Sequence, residues 1–140
     1  MFWDSSAVVP SLLREARSPV MADLLRSDTT PVLWWASPVE CQSALHRRRR
    51  DKSLTELELA TALGRLQRLT DNVDVIAPTV KVRDRAGRLL AAHSLSGADA
   101  LQLAAALAWC EEEPRGSRFV CLDTRLREAA QREGFAILPV

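Results

Sequence analysis

Long hydrophobic runs are missing from this sequence. Its apolar stretches, such as Leu103–Trp109, fall far short of the roughly 20 residues that span a bilayer, so we expect no membrane segment. The first three residues lead directly into Asp4, without the basic and apolar regions of a secretory signal. The expected location is therefore the cytoplasm.

An excess of either charge is also absent. The chain has 19 basic and 18 acidic side chains, so no global field predicts a nucleic acid or a membrane as its partner. The cysteines Cys41, Cys110 and Cys121 are odd in number and lack Cys-x-x-Cys spacing, which argues against a zinc or redox site. We interpret them as small core residues.

Neither internal repeats nor long linkers interrupt the chain, and 140 residues with 47% hydrophobic content suit one core. We therefore expect residues 1–140 to form a single domain. Short apolar segments predict five strands: Met1–Trp3, Pro31–Ala36, Val73–Ala77, Arg118–Leu122 and Ala136–Leu138. Because helical segments separate them, the predicted class is α/β, with a parallel sheet that is covered on both faces.

The clearest predicted helix lies between Ser53 and Asp71, where leucines recur at three- and four-residue spacings and mark one buried face. Gly134 ends the last predicted helix. The other helices are predicted over these ranges: Ser6–Ala16, Pro19–Ser27, Pro38–Arg50, Val80–His93, Ala98–Glu112 and Thr124–Glu133.

Four acidic residues, Asp4, Glu40, Asp99 and Asp123, stand where strands end or helices begin. Because the carboxyl ends of parallel strands share one edge of a sheet, these side chains can converge there. Repulsion between two such charges, about 4 kcal/mol at 4 Å with an effective dielectric near 20, calls for a compensating proton or cation. Mg²⁺ or Mn²⁺ would suit this site, since both ions prefer oxygen ligands.

Helix capping explains the same residues one at a time. Ser37 and Glu40 have the spacing of a capping box with a proline between them, and Ser96 stands three residues before Asp99. Asp4 and Asp123 are suitable N-caps as well. From the residues alone, a metal site and a set of caps both remain open.

The segments around these acids resemble motifs of the PIN-domain family, specifically the toxin ribonucleases of VapC type. In chain order they are Phe2–Val8, Ser37–Leu45, Gly97–Ala106 and Phe119–Leu126, and the last is followed by Ala129, Ala130 and Gly134. The likeness covers nearly the whole chain. Cys121 departs from it, because many relatives have serine or threonine there, so a hydroxyl that would tune the metal is missing.

The resemblance implies a three-layer α/β/α fold with a mainly parallel sheet, and an endoribonuclease that depends on Mg²⁺ or Mn²⁺. It implies direct metal ligation by Asp4 and Asp99, while Glu40 and Asp123 act through water or position the nucleophile. Ser6 would orient Asp4 by a hydrogen bond, and Thr124 would assist at Asp123. The expected biological role is a toxin that a cognate antitoxin protein holds inactive.

For that antitoxin, we expect an arginine or lysine near Asp4 and Asp99, because a cation would neutralise the acidic pocket. Its apolar residues would dock between the two early helices and the helix from Ser53 to Asp71. There, the sequence supplies more apolar side chains than one small core needs: Leu12, Leu13, Leu24 and Leu25. Part of the same surface would serve a homodimer.

The densest basic run stands at the predicted end of the helix that carries Glu40, and it consists of Arg47, Arg48, Arg49 and Arg50. These four arginines could contact RNA phosphates. A solvated helix end is the preferred interpretation, because cations favour helix C-termini.

Other residues outside the acidic motifs have weaker predictions. His46 and His93 are expected at the surface or in packing roles, since a metal mechanism does not need them. Trp34 and Trp35 are expected in the core, although adjacent strand residues face opposite ways, so one of them could reach a partner.

Two other functions compete with the toxin ribonuclease. A non-catalytic PIN-like module would bind RNA or protein without cutting, but a degenerate site usually loses an acid and here all four are present. A metal-dependent phosphatase fits the same carboxylates. It is disfavoured because Ser6 replaces the second acid of an Asp-x-Asp motif and no glycine-rich phosphate loop occurs.

Overall fold

The computed structural model describes residues 1–14 and 18–140. The strands are β1 (Phe2–Trp3), β2 (Val32–Trp34), β3 (Asp74–Ile76), β4 (Arg118–Val120) and β5 (Ala136–Leu138). The helices are α1 (Ser5–Leu12), α2 (Ser18–Ser27), α3 (Ser37–Arg50), α4 (Glu56–Thr70), α5 (Val80–Ala92), α6 (Gly97–Trp109) and α7 (Thr124–Glu133). No helix within these residues is both long and apolar enough to cross a membrane.

The five strands form one parallel sheet in the order β3-β2-β1-β4-β5. From β1 the chain moves outward through β2 to β3, and from β4 it moves the other way to β5. The connections therefore diverge between β1 and β4, and ligands of open α/β sheets bind outside the carboxyl ends of the strands at such a point. The predicted α/β class with a parallel sheet is confirmed.

Helices cover both faces of the sheet, which gives the expected three layers. Successive residues of β1 face opposite ways: Phe2 packs with α5, α6 and α7, whereas Trp3 packs with α1 to α4. Phe2 also stacks on Phe119 of β4, with ring centroids 5.5 Å apart. These two aromatic residues fix the central strands whose ends carry Asp4 and Asp123.

The boundaries of most elements lie within a few residues of their predicted positions. Strands β1 to β4 are shorter than predicted; in β2 and β4 pairing stops at Trp34 and Val120, before the apolar segments end. Strand β5 has the predicted bounds. The end of the predicted helix Ser6–Ala16 lies outside the described residues. β3 differs from the expectation of strands that are apolar on both faces: it is an edge strand whose Asp74 and Val75 are exposed.

One predicted cap is wrong. The N-cap of α3 is Ala36, without a side-chain hydrogen bond, and Ser37 lies inside the helix. Its hydroxyl instead accepts a hydrogen bond from the buried Gln102 of α6, 3.0 Å away. The serine that resembled a cap thus joins two helices across the sheet edge.

Candidate functional site

Asp4 connects β1 to α1 and is almost fully buried, with 3% of its surface exposed. Its Oδ2 accepts a hydrogen bond from the Ser6 backbone N–H at 2.9 Å and thereby caps α1. The Cys121 thiol donates to the same oxygen at 3.5 Å. Burial raises the pKa of Asp4 from 3.8 to about 6, and the charge of Glu40 adds to the rise, whereas hydrogen bonding by Ser6 opposes it.

Ser6 joins the ends of the two central strands. Its hydroxyl oxygen accepts hydrogen bonds from the backbone N–H groups of Leu122, at 2.9 Å, and of Asp123, at 3.3 Å. Ser6 therefore contacts Asp4 through its backbone and the β4 end through its side chain. The Ser6 side chain also hydrogen-bonds to Asp4 and opposes the rise of its pKa, while the predicted role of Ser6 in orienting Asp4 stays a prediction.

Glu40 lies in the first turn of α3, which follows β2. Its Oε2 accepts a hydrogen bond from Gln102 Nε2 at 2.7 Å, so a neutral amide of α6 holds this carboxylate. The Oε1 atom of Gln102 is buried and has no hydrogen-bond partner in the part of the chain that the structure describes. A buried amide that is satisfied at one end only is costly, which indicates a positional constraint at Glu40.

Asp99 lies in the first turn of α6, where the Ser96 hydroxyl accepts from its backbone N–H at 3.1 Å and donates to its Oδ2 at 2.7 Å. The predicted Ser96 cap is therefore confirmed. Gln102 is three residues further along, so it shares a helix face with Asp99. Through Gln102, α6 contributes to the Glu40 side of the site as well as the Asp99 side.

Asp123 follows β4 and caps α7, because its Oδ1 accepts from the Leu126 N–H at 2.9 Å. Its side chain is exposed, unlike that of Asp4. Thr124 is the exposed first residue of α7, and no described hydrogen bond joins it to Asp123. Arg127 of the same helix donates to the carbonyl oxygens of Cys121, Leu138 and Pro139, which ties the ends of β4 and β5 together.

The four carboxylates share this edge of the sheet, and the ion pairs of the described residues supply no cation to them. No ion pair described for residues 1–14 and 18–140 involves any of them. Nor does any group of three or more His, Cys, Asp or Glu side chains in those ranges gather closely enough to hold a metal ion. Among the described residues, the edge therefore carries negative charge that no ion pair compensates.

The basic run lies away from this edge. Its four arginines form the last turn of α3, roughly 10 to 15 Å along the helix axis from Glu40 at 1.5 Å per residue: Arg47, Arg48, Arg49 and Arg50. Only the first and the last are exposed. Arg48 and Arg49 are half-buried, so the solvated helix end that was expected describes half of the run.

Two members of the run have contacts toward the start of α4. Arg49 pairs with Glu56. The Arg48 carbonyl oxygen accepts hydrogen bonds from the backbone N–H and the hydroxyl of Ser53, each at 2.9 Å. The structure thus gives Arg48 and Arg49 a part in joining α3 to α4, while contact of the run with RNA stays a prediction.

The two histidines lie outside the acidic edge as well. His46 is exposed, and His93 contacts Glu133 at 2.7 Å. Both positions agree with the surface and packing roles expected for them.

The contact of Gln102 with Glu40 was not predicted from the sequence, in which Gln102 is only one residue of an apolar helical motif. A signal was present: Gln102 is the one strongly polar residue within Ala100–Leu107. A polar side chain on the buried face of a helix needs a partner. Cys41 and Cys121 are buried and Cys110 is half-buried, which agrees with the packing roles expected for the cysteines.

Known proteins share both the sequence pattern and the fold. The PIN domain family model matches residues 1–132. Two proteins of Mycobacterium tuberculosis, ribonuclease VapC45 and ribonuclease VapC49, are each 31% identical over 139 residues, covering 99% of this chain and 94% of the relative.

Solved structures with low sequence identity have the same fold. The M. tuberculosis toxin VapC20, described as cleaving the sarcin-ricin loop, superposes with a TM-score of 0.69 at 19% identity, covering 96% of this chain and 95% of that one. FitAcB from Neisseria gonorrhoeae gives a TM-score of 0.66 at 13% identity, covering 99% and 96%.

An acidic edge at the point where the connections of a parallel sheet diverge, in a three-layer α/β/α fold, defines a PIN-type domain. The chain belongs to the PIN-domain family and, within it, to the VapC ribonucleases. The resemblance inferred from the four acidic motifs is confirmed.

Proposed function

We propose that this chain is a metal-dependent endoribonuclease that acts as the toxin of a toxin–antitoxin pair in the cytoplasm. The observation that carries the proposal is the buried, unpaired carboxylate of Asp4 beside Glu40, at the carboxyl edge of the central strands. Burial raises the pKa of Asp4, which means that its charged form is unfavourable unless a cation lies nearby. No side chain in the described ion pairs supplies that cation. The ribonuclease names of the 31% identical relatives support the same activity.

The donor set fits Mg²⁺ or Mn²⁺, since all four functional side chains are carboxylates. Mg²⁺ usually retains several waters and binds through one or two carboxylates. That habit is compatible with an edge that has no cluster of three ligands among the described residues. Asp4 and Asp99 would hold the ion directly, and Glu40 and Asp123 would act through water.

A bound divalent ion would make water more acidic and offset charge on the phosphate oxygens. The protein's own part is positional. Gln102 fixes Glu40, Ser96 fixes Asp99, and the N–H of Ser6 fixes Asp4, so the carboxylates keep their places before any substrate arrives. The Ser6 side chain would orient Asp4, and Thr124 would assist at Asp123.

Removing divalent cations should abolish RNA cleavage by the purified protein. Mg²⁺ or Mn²⁺ should restore it, because the carboxylates alone cannot polarise a phosphate. The measurement is cleavage of total bacterial RNA with and without excess chelator, with Asp99→Asn as the inactive control. Cleavage that continues unchanged in chelator would overturn the metal mechanism.

Gln102→Leu should lower cleavage by about 10- to 100-fold, the loss typical when a group that orients a metal ligand is removed. Leucine keeps the apolar volume of α6 but cannot donate to Glu40. Because the variant also frees Ser37, its fold is checked by circular dichroism. Activity equal to that of wild type, with the fold intact, would show that the amide has no positioning role.

The toxin role predicts an inhibitory partner that places an arginine or lysine against Asp4 and Asp99. A groove of about 380 Å³ between the end of α1 and the start of α4 suits its apolar residues. Leu12 and Leu13 line that groove but are mostly buried in the core, so the exposed apolar surface comes mainly from Leu57, which is 77% exposed. Leu24 and Leu25 of α2 are half-buried.

Co-expression with the product of the upstream gene, followed by a pull-down and an RNA-cleavage assay, tests this partner. We expect expression of the chain alone to arrest growth, and the partner to restore growth and inhibit cleavage. Leu57→Asp should weaken the complex without changing cleavage by the free protein. A chain that is tolerated alone and binds no neighbour would remove the toxin role.

A further inference from the structure

A second feature of the carboxyl edge is a pocket of about 390 Å³ beside Glu40, within the usual size range of small-ligand sites. The end of β2 and the first turns of α5 and α6 form it. The residues that matter for its chemistry are Trp34, Trp35, Glu40, Val80, Arg83 and Leu101. Because Glu40 lines the pocket and is one of the four acids at the carboxyl edge, the pocket borders the acidic site.

Trp35 is unusual among the aromatic residues of the chain. All seven lie in the described ranges, and Trp35 alone is exposed, at 59%, while the three phenylalanines and Trp34 are buried. Its backbone N–H donates to the Ile76 carbonyl at 3.1 Å, which holds the main chain at Trp35 against β3. Val80, opposite on α5, is 62% exposed. Two large apolar side chains are thus exposed at one pocket, which indicates that its ligand has an apolar surface.

Charge restricts what that ligand can be. Glu40 repels a phosphate from its side of the pocket, whereas a neutral, planar ring is not repelled. Arg83 also lines the pocket, and among the described ion pairs it pairs only with its neighbour Asp84, at 3.4 Å, where both side chains are largely exposed. Such a surface pair is weak, so the guanidinium can exchange this carboxylate for a phosphate.

The buried wall of the pocket is the indole of Trp34. Trp34 is 4% exposed, and its Nε1 has no hydrogen-bond partner among the described residues. An unsatisfied buried donor costs about 1–3 kcal/mol. Because this nitrogen is itself buried among core residues, Trp34 contributes an apolar wall to the pocket and no donor to its ligand.

We infer that this pocket binds one unstacked base of the RNA substrate, next to the phosphate that is cut, with Trp35 as the stacking surface and Arg83 on the adjoining phosphate. The inference rests on the proposed ribonuclease function and adds a determinant of substrate choice to it. Unpaired bases commonly stack on exposed aromatic side chains in RNA-binding proteins. An amphipathic protein helix would need an apolar stripe over several turns, which this compact pocket lacks.

Binding of short RNAs tests the stacking surface without requiring cleavage. The probes are a fluorescein-labelled dodecamer of adenosine and the same backbone without bases, measured by anisotropy with Ca²⁺ in place of Mg²⁺. Trp35→Ala should weaken binding of the adenosine dodecamer about tenfold or more, and binding of the abasic strand much less. Trp35→Phe should retain most of the affinity because it keeps an aromatic face.

Arg83→Gln should weaken both probes by a similar factor and lower the salt dependence of binding by about one phosphate contact. Leu90→Ala, another exposed apolar residue of α5, and Arg132→Gln, at the far end of α7, are the matched controls and should change neither probe. Equal loss for both probes in Trp35→Ala, or no loss for either, would overturn the base-binding site.

Failure of this inference is distinguishable from failure of the ribonuclease proposal. A wild-type protein that cuts no RNA in Mg²⁺ would refute the activity, while the difference between the two probes still reports on the pocket. If Trp35→Ala releases a co-expressed protein partner but binds both RNAs like wild type, the pocket belongs to that partner and the RNA assignment is wrong.

Discussion

Asp4→Asn should lower RNA cleavage by more than about a hundredfold, beyond the loss typical of a supporting residue. Asparagine preserves the cap of α1, since its side-chain oxygen can accept from the Ser6 N–H, but it removes the charge that would bind a cation. Asp99→Asn should cause a similar loss. Asp74→Asn, at the amino end of β3 and away from the acidic site, is the control and should leave cleavage unchanged.

Asp4→Asn should also stabilise the protein when metal is chelated. The pKa of Asp4 is about 6 in the folded protein against 3.8 for the free side chain. As pH rises between these values, the unfolded chain releases its proton first, so burial of the carboxylate progressively destabilises the fold. The penalty is complete above pH 6 and absent below pH 3.8, and it amounts to up to about 3 kcal/mol.

Urea unfolding of wild type and Asp4→Asn in chelator measures this difference. The stabilisation should be present at neutral pH and vanish in acid, and Mg²⁺ should reduce it by stabilising only the wild type. An Asp4→Asn protein that is unfolded by circular dichroism would instead assign Asp4 a purely structural role.

Phe119→Ala should destabilise the protein by about 3–5 kcal/mol, a large share of the roughly 5–15 kcal/mol that holds a domain folded. Phe119 is fully buried in β4 and packs between Phe2 and Phe135, with ring centroids 5.5 and 5.6 Å away. The cavity would lie under the junction of β1 and β4. Cleavage should therefore fail at a lower temperature, although no acidic residue is changed.

Thermal and urea unfolding measure this loss. Val75→Ala is the control, because Val75 is exposed on the edge strand β3 and its replacement should cost no more than about 1 kcal/mol. If Phe119→Ala lost no more stability than this control, the aromatic packing would not hold the central strands together.

Local chemistry made much of this fold predictable. Asp4 and Asp123 follow apolar strands and precede helices, and a residue that can cap a helix marks such a junction in the sequence. The spacing of the leucines predicted α4, because a helix that buries one face repeats its apolar residues every three or four positions. The order of the strands was beyond reach, since it depends on contacts between segments far apart in the chain.

Long-range contacts also explain what the sequence concealed. Ser37 has the spacing of a cap, but its partner is Gln102, 65 residues away, and only the meeting of the starts of α3 and α6 at the carboxyl edge of the sheet decides between them. Alternation along a strand required Trp34 and Trp35 to face opposite ways, without specifying which one is exposed. The end of β2 at Trp34 settles this: the indole of Trp34 enters the core, while Trp35 lies in the turn that follows.

Asp4 and Asp123 each cap a helix as well as belonging to the acidic site, and this limits which substitutions can remove the activity while the fold is kept. Changing Asp4 or Asp123 to alanine would sacrifice about 1 kcal/mol of capping, whereas asparagine or serine would keep the cap and still remove the charge. Glu40 caps nothing. In copies of the gene that are no longer selected for cleavage, substitutions at position 40 should therefore be limited only by its hydrogen bond with Gln102, whereas positions 4 and 123 should first accept the few residues that still cap a helix.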